Sequence, residues 1–334
     1  MRVGVLGTGR MGAFRARALA EHPEVEEVVV GSHHPERAAE LAEAVGGRPG
    51  TIEQVLDTQL DALVISTATA EHPEQVAAGA ERGLPMLCEK PISINLADTE
   101  TTVDLVKKAG VELQIAFMRR FDAGFRRARE LIADGAAGTL YSLRMCAHDH
   151  EPAEERYIAT SGGIFCDLHV HDFDMARWLT GREVKEVFAT GTVRKWEAYG
   201  RQDDVDTSAI VLTMDDGLPV VITGARHDPV GYDFRAEIFG SGDSIVVGVD
   251  GRTPVHSVQP DAPPPPDNPY HGFLDRFNDA FIAETGAFVD LVQGREPNHC
   301  PPEEALSALQ VAVACERSWR ERRVVGLEEA AGVA

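Results

Sequence analysis

The sequence predicts two folds in tandem. An α/β domain on a parallel sheet comes first, and an α+β domain with a large open, mainly antiparallel sheet follows. Three observations carry this. Short apolar runs alternate with helix-length segments up to about Phe117. A glycine-rich turn stands between the first such run and the first helix. Beyond Phe117, strand-like runs succeed one another with few helices between them.

In chain order, "RVGVLG" reads as a buried strand, rich in β-branched residues and ending in glycine. "MGAFRARALAEH" has Met11, Phe14, Ala18 and Leu19 at helical spacing. "VEEVVVGS" is a second strand, and "PERAAELAEAVG" a helix that Pro35 starts and Gly46 stops. "LDALVIST", "PMLCEKP" and "VELQIAF" are further strands, separated by the helices "PEQVAAGAERG" and "NLADTETTVDLVKKAG". "FRRARELIADG" and "GGIFCDLHVHDFDMARWLTG" read as helices. Six strands follow from the runs "TLYSLRMCAH", "VKEVFATGTV", "TSAIVLTMDD", "LPVVITGARH", "DFRAEIFG" and "DSIVVGV", with turns at Asp216-Gly217 and Gly242-Asp243. "QPDAPPPPDNP" is an irregular loop, and two amphipathic helices close the chain. The expected division is residues 1–119 and residues 120–334.

The 334 residues suffice for two cores. Apolar residues make up 43% and charged ones 26%, the balance of a globular protein. A formal charge of −22 argues against nucleic acid or an anionic membrane as partner. Five scattered cysteines without a C-x-x-C pair read as reduced thiols. The chain opens on "MRVGVLGTG", with no leader pattern and no apolar run long enough to span a bilayer, so the cytoplasm is expected.

"GTGRMG" places Gly7, Gly9 and Gly12 in the G-x-G-x-x-G spacing. The pattern alone is weak and also occurs in packing turns. Here it follows a strand and opens a helix, the setting of a Rossmann dinucleotide site. Gly7 permits the turn, Gly9 admits a pyrophosphate, and Gly12 lets the helix approach the sheet; the anion sits on free N–H groups of the helix start. Arg10 and Met11 lie in the same turn. An NAD site often carries Asp or Glu at the end of the second strand, for the ribose hydroxyls. "GSHHPER" has Ser32 there, with His33, His34 and Arg37 beside it. A 2′-phosphate avoids a carboxylate and suits a hydroxyl, imidazoles and a guanidinium, so NADP is favoured and NAD is the alternative.

"LCEKPIS" puts Glu89, Lys90 and Pro91 at a strand end, where an open α/β sheet faces its ligand. With these residues in view, the chain resembles the glucose–fructose oxidoreductase / inositol dehydrogenase / MocA family. The likeness runs from "GVLGTGRMG" through "CEKPIS", "AFMRRFDAGF", "MCAH" and "DLHVHDFDMARWL" to "GYDFRAEIFG", and "FMRRFDAGF" looks most like the inositol 2-dehydrogenase branch. The resemblance implies that Lys90 lies between nicotinamide and substrate, that the Lys90-Pro91 peptide is often cis, and that Asp167 and His171 match a catalytic aspartate and histidine. Asp172 falls where similar inositol dehydrogenases carry Glu. Thr67 and Glu89 join the expected cofactor contacts, and a homo-oligomer, dimer or tetramer, is implied.

"DLHVHDFD" packs three aspartates and two histidines into eight residues. As a strand it would align Asp167, His169 and His171, a plausible metal triad. As a helix it aligns Asp167, His171 and Asp174. Phe165, Leu168, Met175, Trp178 and Leu179 follow helical spacing, which selects the helix. Asp167 then stands one turn before His171 and orients it. His171 is the expected general acid/base, since histidine titrates near neutral pH, and Lys90 stabilises charge on the reacting oxygen. No metal is expected, because hydride transfer to nicotinamide needs none. His169 and Asp172 fall on the other face, toward substrate or subunit.

Arg119 and Arg120, His148, Asp149 and His150, and Tyr232 suit a polyhydroxylated substrate, or are loop residues in water; Arg120, His150 and Tyr232 are the expected contacts. The expected activity is hydride transfer between NAD(P) and a secondary alcohol of a cyclic polyol or sugar, inositol 2-dehydrogenase-like. The alternatives are a sugar or pseudo-sugar dehydrogenase or ketoreductase of a biosynthetic pathway, or a non-catalytic cofactor-binding regulator.

Overall fold

In a computed structural model that describes residues 1–331, the chain forms two compact units. One comprises Met1–Met118 and Phe281–Leu306; the other comprises Arg119–Ala280 and the chain from Ser307 onward. Residues 332–334, the end of the expected second segment, lie outside the described residues.

The first unit opens with β1 (Arg2–Leu6), α1 (Arg10–Ala20), β2 (Glu27–Gly31), α2 (Pro35–Val45), β3 (Arg48–Gly50) and α3 (Ile52–Leu56). It continues with β4 (Ala62–Ile65), α4 (His72–Glu81), β5 (Met86–Cys88), α5 (Leu96–Ala109) and β6 (Leu113–Ile115). The six strands pair in parallel in the order β3-β2-β1-β4-β5-β6. Chain order reverses between β1 and β4, which opens a crevice at their carboxyl ends. The strand β3 gave no signal in the sequence: "RPG" is short, edge-placed and largely exposed, and proline has no amide to donate.

The second unit holds α6 (Ala123–Ala133), β7 (Leu140–His148), α7 (Glu155–Ile158), α8 (Gly163–Asp167), α9 (Val170–Thr180), β8 (Val184–Thr192) and α10 (Glu197–Arg201). Then come β9 (Thr207–Met214), β10 (Pro219–Ala225), β11 (Asp233–Gly240), β12 (Ser244–Val247) and α11 (Phe273–Arg276). Its sheet runs β12-β11-β7-β10-β9-β8, with β13 (Val325–Gly326) at the edge. All neighbours are antiparallel except β7 and β10, which are parallel, so the sheet is mixed though mainly antiparallel. One face is buried: Val220, Ile222, Ile210, Leu212 and Met145 alternate with outward residues.

Three late helices, α12 (Asn278–Val292), α13 (Pro302–Glu321) and α14 (Leu327–Ala331), complete the chain. Residues 281–306, which the sequence reading assigned to the second segment, belong to the first unit. Phe288, Val289 and Leu291 of α12 enter the same core as Val3, Val5, Leu19 and Val28. Burying that apolar stripe outweighs proximity along the chain.

The segment expected as one helix through "DLHVHDFD" is two. Both the Leu168 and His169 amides donate to the Ile164 carbonyl, each at 3.1 Å, so the ladder slips at that point and restarts at His169. The cause is side-chain burial. His169 packs on the backbone of Gly224 in β10, where a Cβ would come within 2.3 Å of its Nε2.

Candidate functional site

In the first unit, the turn after β1 is shaped by two close approaches. Gly7 has φ +104°, and a Cβ on it would lie 2.3 Å from the Ser66 carbonyl oxygen. A Cβ on Gly12 would lie 2.0 Å from the Gly7 carbonyl oxygen, so only glycine lets α1 start there. Gly9 differs: a Cβ on it would meet nothing within 4 Å. It caps the eleven-residue α1 without a side-chain bond, so no side chain of the cap occupies the helix start, the end of a helix that suits an anion. These features fit a dinucleotide pyrophosphate. Arg10 is exposed and Met11 half-buried on the first turn of α1.

A groove of about 360 Å³ runs from this turn past Ser32, His33, Arg37, Thr67 and Glu71. The Ser32 Oγ is buried, accepts the His34 amide at 3.1 Å and lies 3.2 Å from Thr8 Oγ1. His33 Nε2 lies 2.9 Å from the Glu71 carboxylate. Glu71, from the segment after β4, thus brings a carboxylate into the groove, where β2 ends without one. Thr67 donates its hydroxyl to Gln75 at 2.7 Å.

Lys90 follows β5, is half-buried, and precedes a cis peptide to Pro91. Both of its neighbours are held. Glu89 accepts from Arg15 Nε at 3.0 Å. The Pro91 carbonyl lies 2.9 Å from His72 Nδ1, while His72 Nε2 is 3.2 Å from the Thr67 carbonyl. Arg15 is wholly buried on α1, bonded also to Glu284 and, at 3.0 Å, to Thr285. Burial pushes the Glu284 carboxyl up to about 7, against the pull of Arg15.

In the second unit, Asp167 ends α8 and His171 lies in the first turn of α9, and both are half-buried. Asp167 accepts on both oxygens, from the Tyr157 hydroxyl at 2.8 Å and from Arg226 Nη1 at 2.9 Å. Arg226 is buried and also reaches Asp149 at 3.4 Å. Burial draws the Arg226 pKa down, but the carboxylates of Asp167 and Asp149 more than offset it, and the net shift is upward. Burial and the Asp167 charge together raise the Tyr157 phenol, so the phenol keeps its proton and donates it to Asp167.

The remaining polar residues of "DLHVHDFD" hold the fold. His169 is buried, 2.8 Å from Asp172 and 2.7 Å from Ser208 Oγ. Asp172 accepts from Arg119 at 2.5 Å, and Arg119 lies over the ring of Phe234. The contact of His169 and Asp172 with substrate or subunit that the sequence suggests is not found: both side chains are buried against Ser208 and Arg119 of the same unit. Arg120, expected at the substrate, is buried and bonded to Asp174 at 3.1, 3.0 and 2.5 Å. Tyr232 is 5% exposed and stacks on Phe234 at 4.1 Å. His150 is half-buried, with Nδ1 3.0 Å from the Asp228 carbonyl. His148, Asp228 and Asp233 bring three ligand-type atoms within 4.8 Å, but both oxygens of Asp233 are bonded to Arg235.

Tyr157, Arg226, Arg15, His72 and Glu284 were not singled out from the sequence. Arg15 did leave a trace: it falls in the buried register Gly12, Arg15, Ala16, Leu19 of an otherwise apolar helix face.

A glycine cradle on a parallel sheet, with a groove along the reversal point, defines a dinucleotide-binding protein. The chain belongs to the GFO/IDH/MocA oxidoreductase family: residues 1–117 match its NAD-binding Rossmann fold and residues 125–246 its C-terminal domain. It is 36% identical to the myo-inositol 2-dehydrogenase of Thermotoga maritima, over 99% of this chain and 100% of that one. It is 30% identical to the scyllo-inositol 2-dehydrogenase (NAD(+)) of Bacillus subtilis, over 98% and 96%. The crystal structure of a myo-inositol dehydrogenase from Corynebacterium glutamicum superposes with a TM-score of 0.90 at 31% identity, covering 98% of each chain. Among the described residues, no helix is long and apolar enough to cross a membrane.

Proposed function

We propose that this chain is an NAD(H)-dependent dehydrogenase that oxidises a secondary alcohol of a cyclic polyol of the inositol class. The observation that carries the reading is Asp167, held on both oxygens by Tyr157 and Arg226, four residues before a half-buried His171. A nicotinamide supplies the hydride acceptor when bound. The chain's residues handle the proton. His171 takes it from the hydroxyl and returns it in the reverse direction. Asp167, accepting from Tyr157 and Arg226, orients the imidazole. The Lys90 ammonium bonds the reacting oxygen and stabilises the charge that develops there.

Relatives named for inositol dehydrogenases support the substrate class. The assay follows reduced nicotinamide by absorbance across myo-inositol, scyllo-inositol, glucose and related polyols. Turnover of an inositol that is lost in both Lys90→Ala and His171→Ala supports the reading. Turnover of glucose alone favours the sugar alternative. Dinucleotide binding without any turnover favours a cofactor-bound regulator.

The groove argues for NAD over the NADP expected from Ser32. Ser32 is engaged with the His34 amide, and His33 is already paired with Glu71, whose carboxylate opposes a 2′-phosphate. The same reading includes a homo-oligomer. Phe188, Val211 and Val221 are exposed, in register across β8, β9 and β10, on the open face of the second sheet. Sedimentation equilibrium of Val211→Glu beside the wild type tests that surface.

A further inference from the structure

We propose that Arg15 and His72 are positioning residues for Lys90, transmitting the location of the dinucleotide groove to the two residues that flank the lysine. This rests on the reading of Lys90 as the group that bonds the reacting oxygen.

The two pins start from groove elements. Arg15 lies one turn beyond Gly12 on α1, the helix that starts at the glycine turn lining the groove. Its guanidinium bonds Glu89, directly before Lys90. His72 opens α4, and its two nitrogens face the carbonyls of Thr67, in the groove, and of Pro91, directly after Lys90. Lys90 thus stands just beyond the end of β5, between two tethered neighbours.

A packing role does not require this chemistry. A buried arginine is costly to desolvate, and an apolar residue would fill the α1 site more cheaply. Arg15 is retained there bonded to the buried Glu284, one of whose oxygens has no hydrogen-bond partner among the described residues. A buried unmatched carboxylate oxygen destabilises the fold. What Arg15 secures in return is the placement of Glu89. His72 is buried too, and burial pushes its pKa down; a neutral ring has one N–H, and donated to the Pro91 carbonyl, the shorter of its two contacts at 2.9 Å, it holds the residue directly after Lys90. A misplacement of about 1 Å at a reacting group costs on the order of 100-fold in rate.

The test uses full-length Glu89→Ala, Glu89→Gln, Arg15→Lys and His72→Ala, each checked for folding by circular dichroism and for dinucleotide stoichiometry by calorimetry. The expected result is a kcat lowered about 10- to 100-fold in Glu89→Ala and His72→Ala, with KM for NAD within about threefold of wild type. Glu89→Gln, which still accepts from Arg15, recovers most of the rate. Acetylation of Lys90 by N-hydroxysuccinimidyl acetate, followed by mass spectrometry, gives a readout independent of turnover. Its rate changes at least threefold in Glu89→Ala and His72→Ala and reverts in Glu89→Gln. Folded variants with wild-type kcat and wild-type Lys90 acetylation overturn the proposal, as does a change confined to KM for NAD. If Lys90→Ala itself keeps full activity, the assigned role of Lys90 fails, while the acetylation rates still decide whether the pins fix its position.

Discussion

His169 and Asp172 share a buried hydrogen bond of 2.8 Å, and neither side chain reaches solvent. Arg119 closes the other side of Asp172 and Ser208 the other side of His169. A motif dense in acid–base residues thus divides in two, with a buried structural pair at His169 and Asp172, and with Asp167 and His171 half-buried.

The structural pair predicts a stability effect with a pH signature. Asp172→Asn leaves the Arg119 charge unmatched and costs about 3–5 kcal/mol at neutral pH. Burial alone raises the Asp172 pKa, yet Arg119 and His169 overcome it and hold it below the usual 3.8. The ionised carboxylate therefore stabilises the fold above that unfolded value, and the contribution is lost as pH falls through the lower folded one. Urea titrations should show the gap between wild type and Asp172→Asn wide at pH 7 and narrowing below about pH 4. A gap independent of pH would contradict the charge argument.

The half-buried pair predicts a kinetic effect instead. Tyr157→Phe removes one of the two donors to Asp167. A hydrogen bond to a charged group contributes about 1.5–3 kcal/mol, so kcat/KM for the polyol falls about 10- to 100-fold with little change in melting temperature. Losing a donor also raises the proton affinity of Asp167, which moves the acidic limb of the kcat/KM profile to higher pH. An unmoved limb would detach Tyr157 from the proton chemistry.

Two glycines of the turn separate folding from binding. Gly12→Ala forces a Cβ onto the Gly7 carbonyl, so it lowers the melting temperature and the dinucleotide affinity together. Gly9→Ala meets no protein atom, so it leaves the melting temperature within about a degree and raises the Kd for NAD at least tenfold. Calorimetry and thermal unfolding of both variants check this, and equal destabilisation would count against Gly9 as the pyrophosphate contact.

Cofactor choice is tested in the groove. Wild type should show a higher kcat/KM with NAD than with NADP. Removing the Glu71 charge with Glu71→Gln should raise NADP turnover relative to NAD, and Ser32→Asp should depress it further. Selectivity unchanged in both variants would mean that the ribose is read elsewhere.

The sequence by itself determined the parallel sheet, the glycine turn and the lysine before a proline at a strand end, and it singled out Asp167 and His171 as candidates for the proton chemistry proposed above. Each rests on local chemistry: the period of the apolar residues, a turn that only glycine can make, and a motif read in its strand–helix context. The tertiary structure decided what the local pattern leaves open. It returned residues 281–306 to the first unit, because the apolar stripe of α12 finds its matching core there. It broke the helix at Leu168 and turned His169 and Asp172 inward, because Gly224 and Ser208 on distant strands offer the imidazole a fitted, hydrogen-bonded place. It set Arg226 and Tyr157 on Asp167, and Arg15 and His72 beside Lys90. A buried polar side chain is worth keeping only when its partner is present, and those partners lie 59 and 74 residues away for Asp167–Arg226 and Arg15–Glu89.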